Sequence, residues 1–113
     1  NVSADINDDI ANAIRSGDIK TLSRFLGDNV ELKLIDLEEI YSRAQAEVII
    51  KDFFNKHKVE SFFISHKSTP KNDSMYSIGT LQTSKGKFRT YFFIKKLNNK
   101  FVIQQFRIES DKE

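Results

Sequence analysis

"RSGDIKTLSRFLGDNVEL", Arg15 to Leu32, holds the punctuation that decides the fold. A helix carrying Ile6, Ile10, Ala13 and Ile14 on one stripe ends at Gly17. Asp5, Asp8 and Asp9 lie in its first turn, where the helix dipole favours negative charge. Asp18 then caps a second helix, whose apolar stripe is Ile19, Leu22, Phe25 and Leu26. Gly27-Asp28-Asn29 reads as a turn. Val30-Glu31-Leu32-Lys33-Leu34 alternates, as a strand with one wet face does.

Further along, Ser42 followed by Gln45 matches a capping box and opens a third helix. Ala46, Ile49, Ile50 and Phe53 share one face of it, and Val48 and Phe54 widen that face. After His57-Lys58 the period changes to two, which predicts strands near 59–69, 74–84, 87–97 and 100–109. Pro70-Lys71-Asn72-Asp73, Lys85-Gly86 and Asn98-Asn99 connect them, the last two as two-residue hairpin turns. With 113 residues and neither repeat nor linker, the chain forms one domain, 1–113.

Two helices split at a Gly-Asp corner, a strand, a longer helix and a four-stranded meander make a specific order. Gly17, Asp18, Leu22, Leu26, Asp28 and Val30 resemble the opening of nuclear transport factor two-like domains. That resemblance implies an α+β, cystatin-like cone: three N-terminal helices packed on a curved, mainly antiparallel sheet. "YSRAQAEVIIKDFF", "YSIGTLQTSKGKFRTYFFIKK" and "FVIQQFRIE" are similar to an uncharacterised family of short, exported proteins of Bacteroides-type bacteria. The family resemblance implies periplasmic or cell-surface export and assigns no activity. The sequence begins at Asn1 rather than Met, which fits either a removed signal peptide or an engineered truncation.

Turns centred on Lys85-Gly86 and Asn98-Asn99 set a register. It pairs Ile94 with Ile103, Phe92 with Gln105 and Gly79, and Thr90 with Arg107 and Leu81. One face then carries Ser77, Gly79, Leu81, Phe88, Thr90, Phe92, Ile94, Ile103, Gln105 and Arg107, and is read as the concave core. Gly79 there leaves room for a helix, and His66 joins by alternation from Phe62 and Ile64. The out-of-character polar residues make a pocket set at the cone mouth: His66, Ser77, Thr90, Gln105 and Arg107, with Tyr41 as a further lining residue. Arg107 has the chemistry to hold a carboxylate or phosphate, or else pairs structurally with Glu109. The opposite face carries Tyr76, Ile78, Thr80, Tyr91, Phe93, Gln104 and Phe106, too apolar for water alone, and is read as a homodimer interface.

Two functions follow. The first is non-enzymatic binding of a small ligand or protein partner through the cone pocket or the outer sheet face. The alternative is an isomerase or cyclase acting on a small substrate in the cavity, with His66 or an acid as base. Relatives with isomerase activity carry a Tyr on the first helix and an acid facing the cavity. This first helix has no Tyr, and Asp36, Glu38 and Glu39 read as an exposed turn leading to Tyr41. No cofactor motif or metal-ligand spacing occurs, and cysteine is absent. Eighteen basic and 16 acidic residues, scattered, argue against nucleic acid. No apolar run approaches a membrane span of ~20 residues.

Overall fold

A computed structural model describes residues 5–111. In chain order the elements are α1 (Ile6–Ser16), α2 (Ile19–Arg24), β1 (Leu26–Leu34), β2 (Leu37–Ser42), α3 (Arg43–Lys56), β3 (Val59–Lys67), β4 (Ser74–Thr83), β5 (Gly86–Leu97) and β6 (Lys100–Ser110). All six strands form one sheet in the order β2-β1-β6-β5-β4-β3. Only β1 and β6 run parallel. The three helices pack on one face of it.

The corner has the chemistry its sequence predicts. Gly17 sits at φ 69°, and the Asp18 carboxylate accepts a hydrogen bond from the Thr21 backbone N–H at 3.1 Å. At α3, the Ser42 hydroxyl accepts from the Gln45 N–H while Gln45 Oε1 accepts from the Ser42 N–H. Asn98 and Asn99 both take positive φ and close the β5–β6 hairpin with two residues.

Several expectations change. Leu26 already begins β1, so Gly27-Asp28-Asn29 is extended rather than a turn. Gly27 is buried, and a Cβ there would lie 3.2 Å from Val102 Cγ2, so its small size serves packing against β6. Residues 37–42 form β2, antiparallel to β1, where an exposed turn was expected; the turn is only Ile35-Asp36. Its outward polar residues hide the strand signal. Val48 points to solvent and leaves the packed face of α3 to Ala46, Ile50, Phe53 and Phe54. The β4–β5 turn is Ser84-Lys85, because the Thr83 hydroxyl donates to the Gly86 carbonyl and accepts from the Lys85 N–H. That shift moves pairings by two residues and preserves the faces: Phe92 opposes Ser77, and Thr90 opposes Gly79.

Two bulges do change faces. The β5–β6 ladder pairs Ile94 with Ile103 but Phe93 with Gln105, leaving Gln104 extra. One added residue inverts every side chain beyond it. Phe106 and Ile108 therefore enter the core, fully buried, and Gln105 and Arg107 face outward. In β3, Ile64 pairs with Gly79 and His66 with Ile78, so Ser65 is extra and His66 also turns out. The core on the concave side gathers Ile10, Ile14, Leu22, Ile50, Phe62, Leu81, Phe88, Phe92, Ile94, Ile103, Phe106 and Ile108. Gly79 makes room there for the Phe62 ring of β3 rather than for a helix.

Candidate functional site

The pocket set does not assemble. Ser77 and Thr90 are fully buried in the side-chain-filled concave face. The Ser77 hydroxyl donates to Asn7 Oδ1 at 2.7 Å and so pins the start of α1 to β4. Thr90 Oγ1 is buried without a hydrogen-bond partner among the described residues. Tyr41 is half-buried against the core, opposite Val30. His66, Gln105 and Arg107 lie on the convex face, so His66 and Arg107 share no interior cavity with Ser77 or Thr90. A groove of about 570 Å³ does open at one end of the domain. Asp5, Asn7, Lys67, Pro70, Met75 and Phe101 line it, and none of the expected pocket residues does.

The convex face brings more of the chemistry together. Tyr76 stacks on Tyr91 diagonally across β4 and β5, with centroids 5.7 Å apart, and His66 leans on Tyr76 at 5.8 Å. Ile78 opposes Tyr91, and Phe93 opposes Tyr76. Phe63, opposite Thr80, extends the row to the sheet edge and is 55% exposed. The alternation after Phe62 already pointed Phe63 outward, a signal the sequence reading passed over. Of the residues expected on this face, Tyr76, Ile78, Thr80, Tyr91 and Phe93 are half-buried and lie on it; Phe106 belongs to the core, and Gln104 occupies the bulge.

Beside the aromatic half lies a charged half. Arg89 opposes Glu109 across β5 and β6, Arg107 and Lys33 stand side by side across β6 and β1 with Glu38 beyond Lys33 on β2, and Glu31 lies two residues along β1. Arg107 stands between Glu109, 3.4 Å away, and Glu38, 3.9 Å away. Its pairing with Glu109 is thus the structural pair weighed above, set on the outer face rather than at a pocket mouth. Arg89, Tyr91, Gln105, Arg107 and Glu109 edge a shallow groove of about 320 Å³. Burial raises the Tyr91 phenol above its ordinary value, and the Arg107 charge partly offsets that. Tyr91 therefore stays a neutral hydrogen-bonding group at physiological pH. Among the described residues no cluster of three acidic or histidine groups could hold a metal ion, and no helix is long and apolar enough to cross a membrane.

Three helices against one face of a curved, mixed sheet define a cystatin-like, nuclear transport factor two-like α+β domain. The chain aligns over 95% of its length, and over 74% of the other chain, with a cystatin-like domain of unknown function from Nostoc punctiforme; the TM-score is 0.74 at 7% identity. Residues 7–109 match the Domain of unknown function (DUF4783) family, and the chain belongs to it. It is similar to a DUF4783 protein from Bacteroides uniformis, with 33% identity, 96% and 100% coverage of the two chains and a TM-score of 0.90. A Bacteroides fragilis member shows 36% identity, 94% and 99% coverage and a TM-score of 0.85. No curated protein matches the chain.

Proposed function

We propose that this domain is a non-enzymatic binding module that works through the convex face of its sheet, where it docks a second copy of itself. The observation that carries the proposal is the contiguous row Phe63, Ile78, Tyr76, Tyr91 and Phe93, held on a rigid sheet and half open to solvent. A sheet face left to water reads polar, and a patch of this kind marks contact. The neighbouring charges favour an identical partner. A two-fold contact lays the same surface on itself and so needs self-complementarity. Three basic and three acidic residues on the one face offer both signs to such a contact. The concave face is filled by side chains around Ser77 and Thr90, and the groove at its Met75 end is lined by none of the residues expected to hold a ligand or act as a base; both weigh against a small ligand or a reaction inside the cone. Export to the periplasm or cell surface is part of the proposal, supported by the family resemblance, and cell fractionation tests it.

Light scattering on the eluting protein tests the assembly. The wild-type chain is expected at twice its 13.1 kDa, and Tyr91→Lys at the mass of one chain with its fold intact. A wild-type mass of one chain, or a Tyr91→Lys dimer, overturns the reading.

A further inference from the structure

The helical side of the molecule carries a second feature, independent of the sheet face. The end of α1, the Gly17-Asp18 corner and the start of α2 lie across from α3 and the first residues of β3, and a cleft of about 460 Å³ separates them. That volume falls within the ~300–1,000 Å³ common to small-molecule sites. The apolar part of the lining is Ile19, Phe54 and Val59. Arg15, Lys20, Lys51 and Lys58 also line the cleft, with only Asp18 and Glu47 against them.

The two acids are held by neutral donors and keep their charge, so four cations stand against two acids along the lining. Asp18 accepts from the Thr21 backbone and hydroxyl, and Glu47 accepts from the buried Ser23 hydroxyl at 2.8 Å. Arg15 is partly committed too, since its Nε donates to the Phe62 carbonyl. The ammonium groups of Lys20, Lys51 and Lys58 have no hydrogen bond or ion pair among the described residues. Three uncommitted cations, from α2, α3 and the α3–β3 connection, thus border one partly apolar recess. At Gly17, a Cβ would meet nothing within 4 Å, so the corner itself leaves space. A recess of this kind concentrates anions, because its low-dielectric walls focus the positive field.

We propose that the cleft binds a small organic anion: an apolar, ring-sized body carrying a carboxylate, sulfonate or phosphate group. The body packs on Ile19, Phe54 and Val59, and the anionic group takes charge-assisted hydrogen bonds from the lysines. The site differs from the outer sheet face in location and chemistry, so either can fail without the other.

The test is an amide NMR titration of the 15N-labelled chain with 2-naphthoate, with 2-naphthamide as its neutral counterpart. Saturable shifts are expected at Gly17, Lys51 and Asn55, with 2-naphthamide binding at least about tenfold more weakly. Replacing both Lys51→Gln and Lys58→Gln weakens naphthoate by at least about threefold, in line with exposed charge pairs, and leaves naphthamide unchanged. Lys51 and Lys58 are exposed, so the variant is expected to keep the wild-type spectrum. Absent or non-saturating shifts at the corner overturn the proposal. So do equal affinities for the two probes, shifts centred on Tyr91 and Phe93, or a double variant that binds naphthoate as the wild type does.

Discussion

Thr90 is where a single atom most plainly lacks a structural use. Its hydroxyl has left water without gaining a partner among the described residues, and such a group costs about 1–3 kcal/mol. Thr90→Val keeps the shape and removes the hydroxyl. The variant should unfold at higher urea, by about 1 kcal/mol; a lower midpoint would show that the hydroxyl has a bonding role. Ser77, on the neighbouring strand, is the opposite case. Its bond to Asn7 joins two buried groups, so Ser77→Ala strands the Asn7 carbonyl and should lose about 1–3 kcal/mol in the same measurement. At Gly79, an added Cβ would stand 2.7 Å from both Phe62 Cζ and the Phe63 carbonyl oxygen. The ring could swing, but the backbone oxygen could move only with its strand. Gly79→Ala should therefore lose about 1–3 kcal/mol through overpacking, and an unchanged urea midpoint would contradict the packing described.

Among the elements, α1 is fastened at its start by charge. Lys67 Nζ lies 2.7 Å from Asp5 Oδ2 and 3.8 Å from Asp8 Oδ1. The hydrogen bond from Lys67 holds the Asp5 carboxyl below its ordinary value near 3.8. A carboxyl made more acidic by folding stabilises above its unfolded value, and that gain is lost as pH falls through the lower folded value. Lys67 is raised above 10.5, chiefly by Asp5, so its share is present below that value and lost as pH rises through the folded one. Both side chains are well exposed, which keeps the effect small. Lys67→Met should unfold at slightly lower urea than wild type at neutral pH, and the gap should close in acid below the folded Asp5 value. A gap independent of pH would contradict the clamp. The helix boundaries around this region were legible because Gly17, Asp18, Ser42 and Gln45 act locally, each on its own backbone. The four late strands were legible for the same reason, through alternation and the Asn98-Asn99 turn. The bulges at Gln104 and Ser65 were not. Nothing in "FVIQQFRIE" or "FFISHK" distinguishes an extra residue from a paired one; the sheet decides by burying Phe106 and Ile108 instead of Gln105 and Arg107. The expected pocket inherited that one-residue slip, and it dissolved when His66, Gln105 and Arg107 turned outward.

For the whole molecule, the same bulges shape the functional surface. They move Arg107 and His66 to the convex side, beside Tyr76 and Tyr91, and move Phe106 and Ile108 inward to fill the cone. The outcome is a core filled around Phe92, Phe106 and Ile108 and a convex face that is aromatic on one half and charge-balanced on the other. Two copies docked through that face bring its side chains within contact distance, and such proximity can be observed directly. Isotope-filtered NMR on an equal mixture of labelled and unlabelled chains reports contacts between copies alone. Cross-peaks between copies are expected from the side chains of Tyr76, Ile78, Tyr91 and Phe93, with none from α3. An absence of contacts between copies at high micromolar concentration, or contacts that involve α3 and spare these side chains, would contradict it.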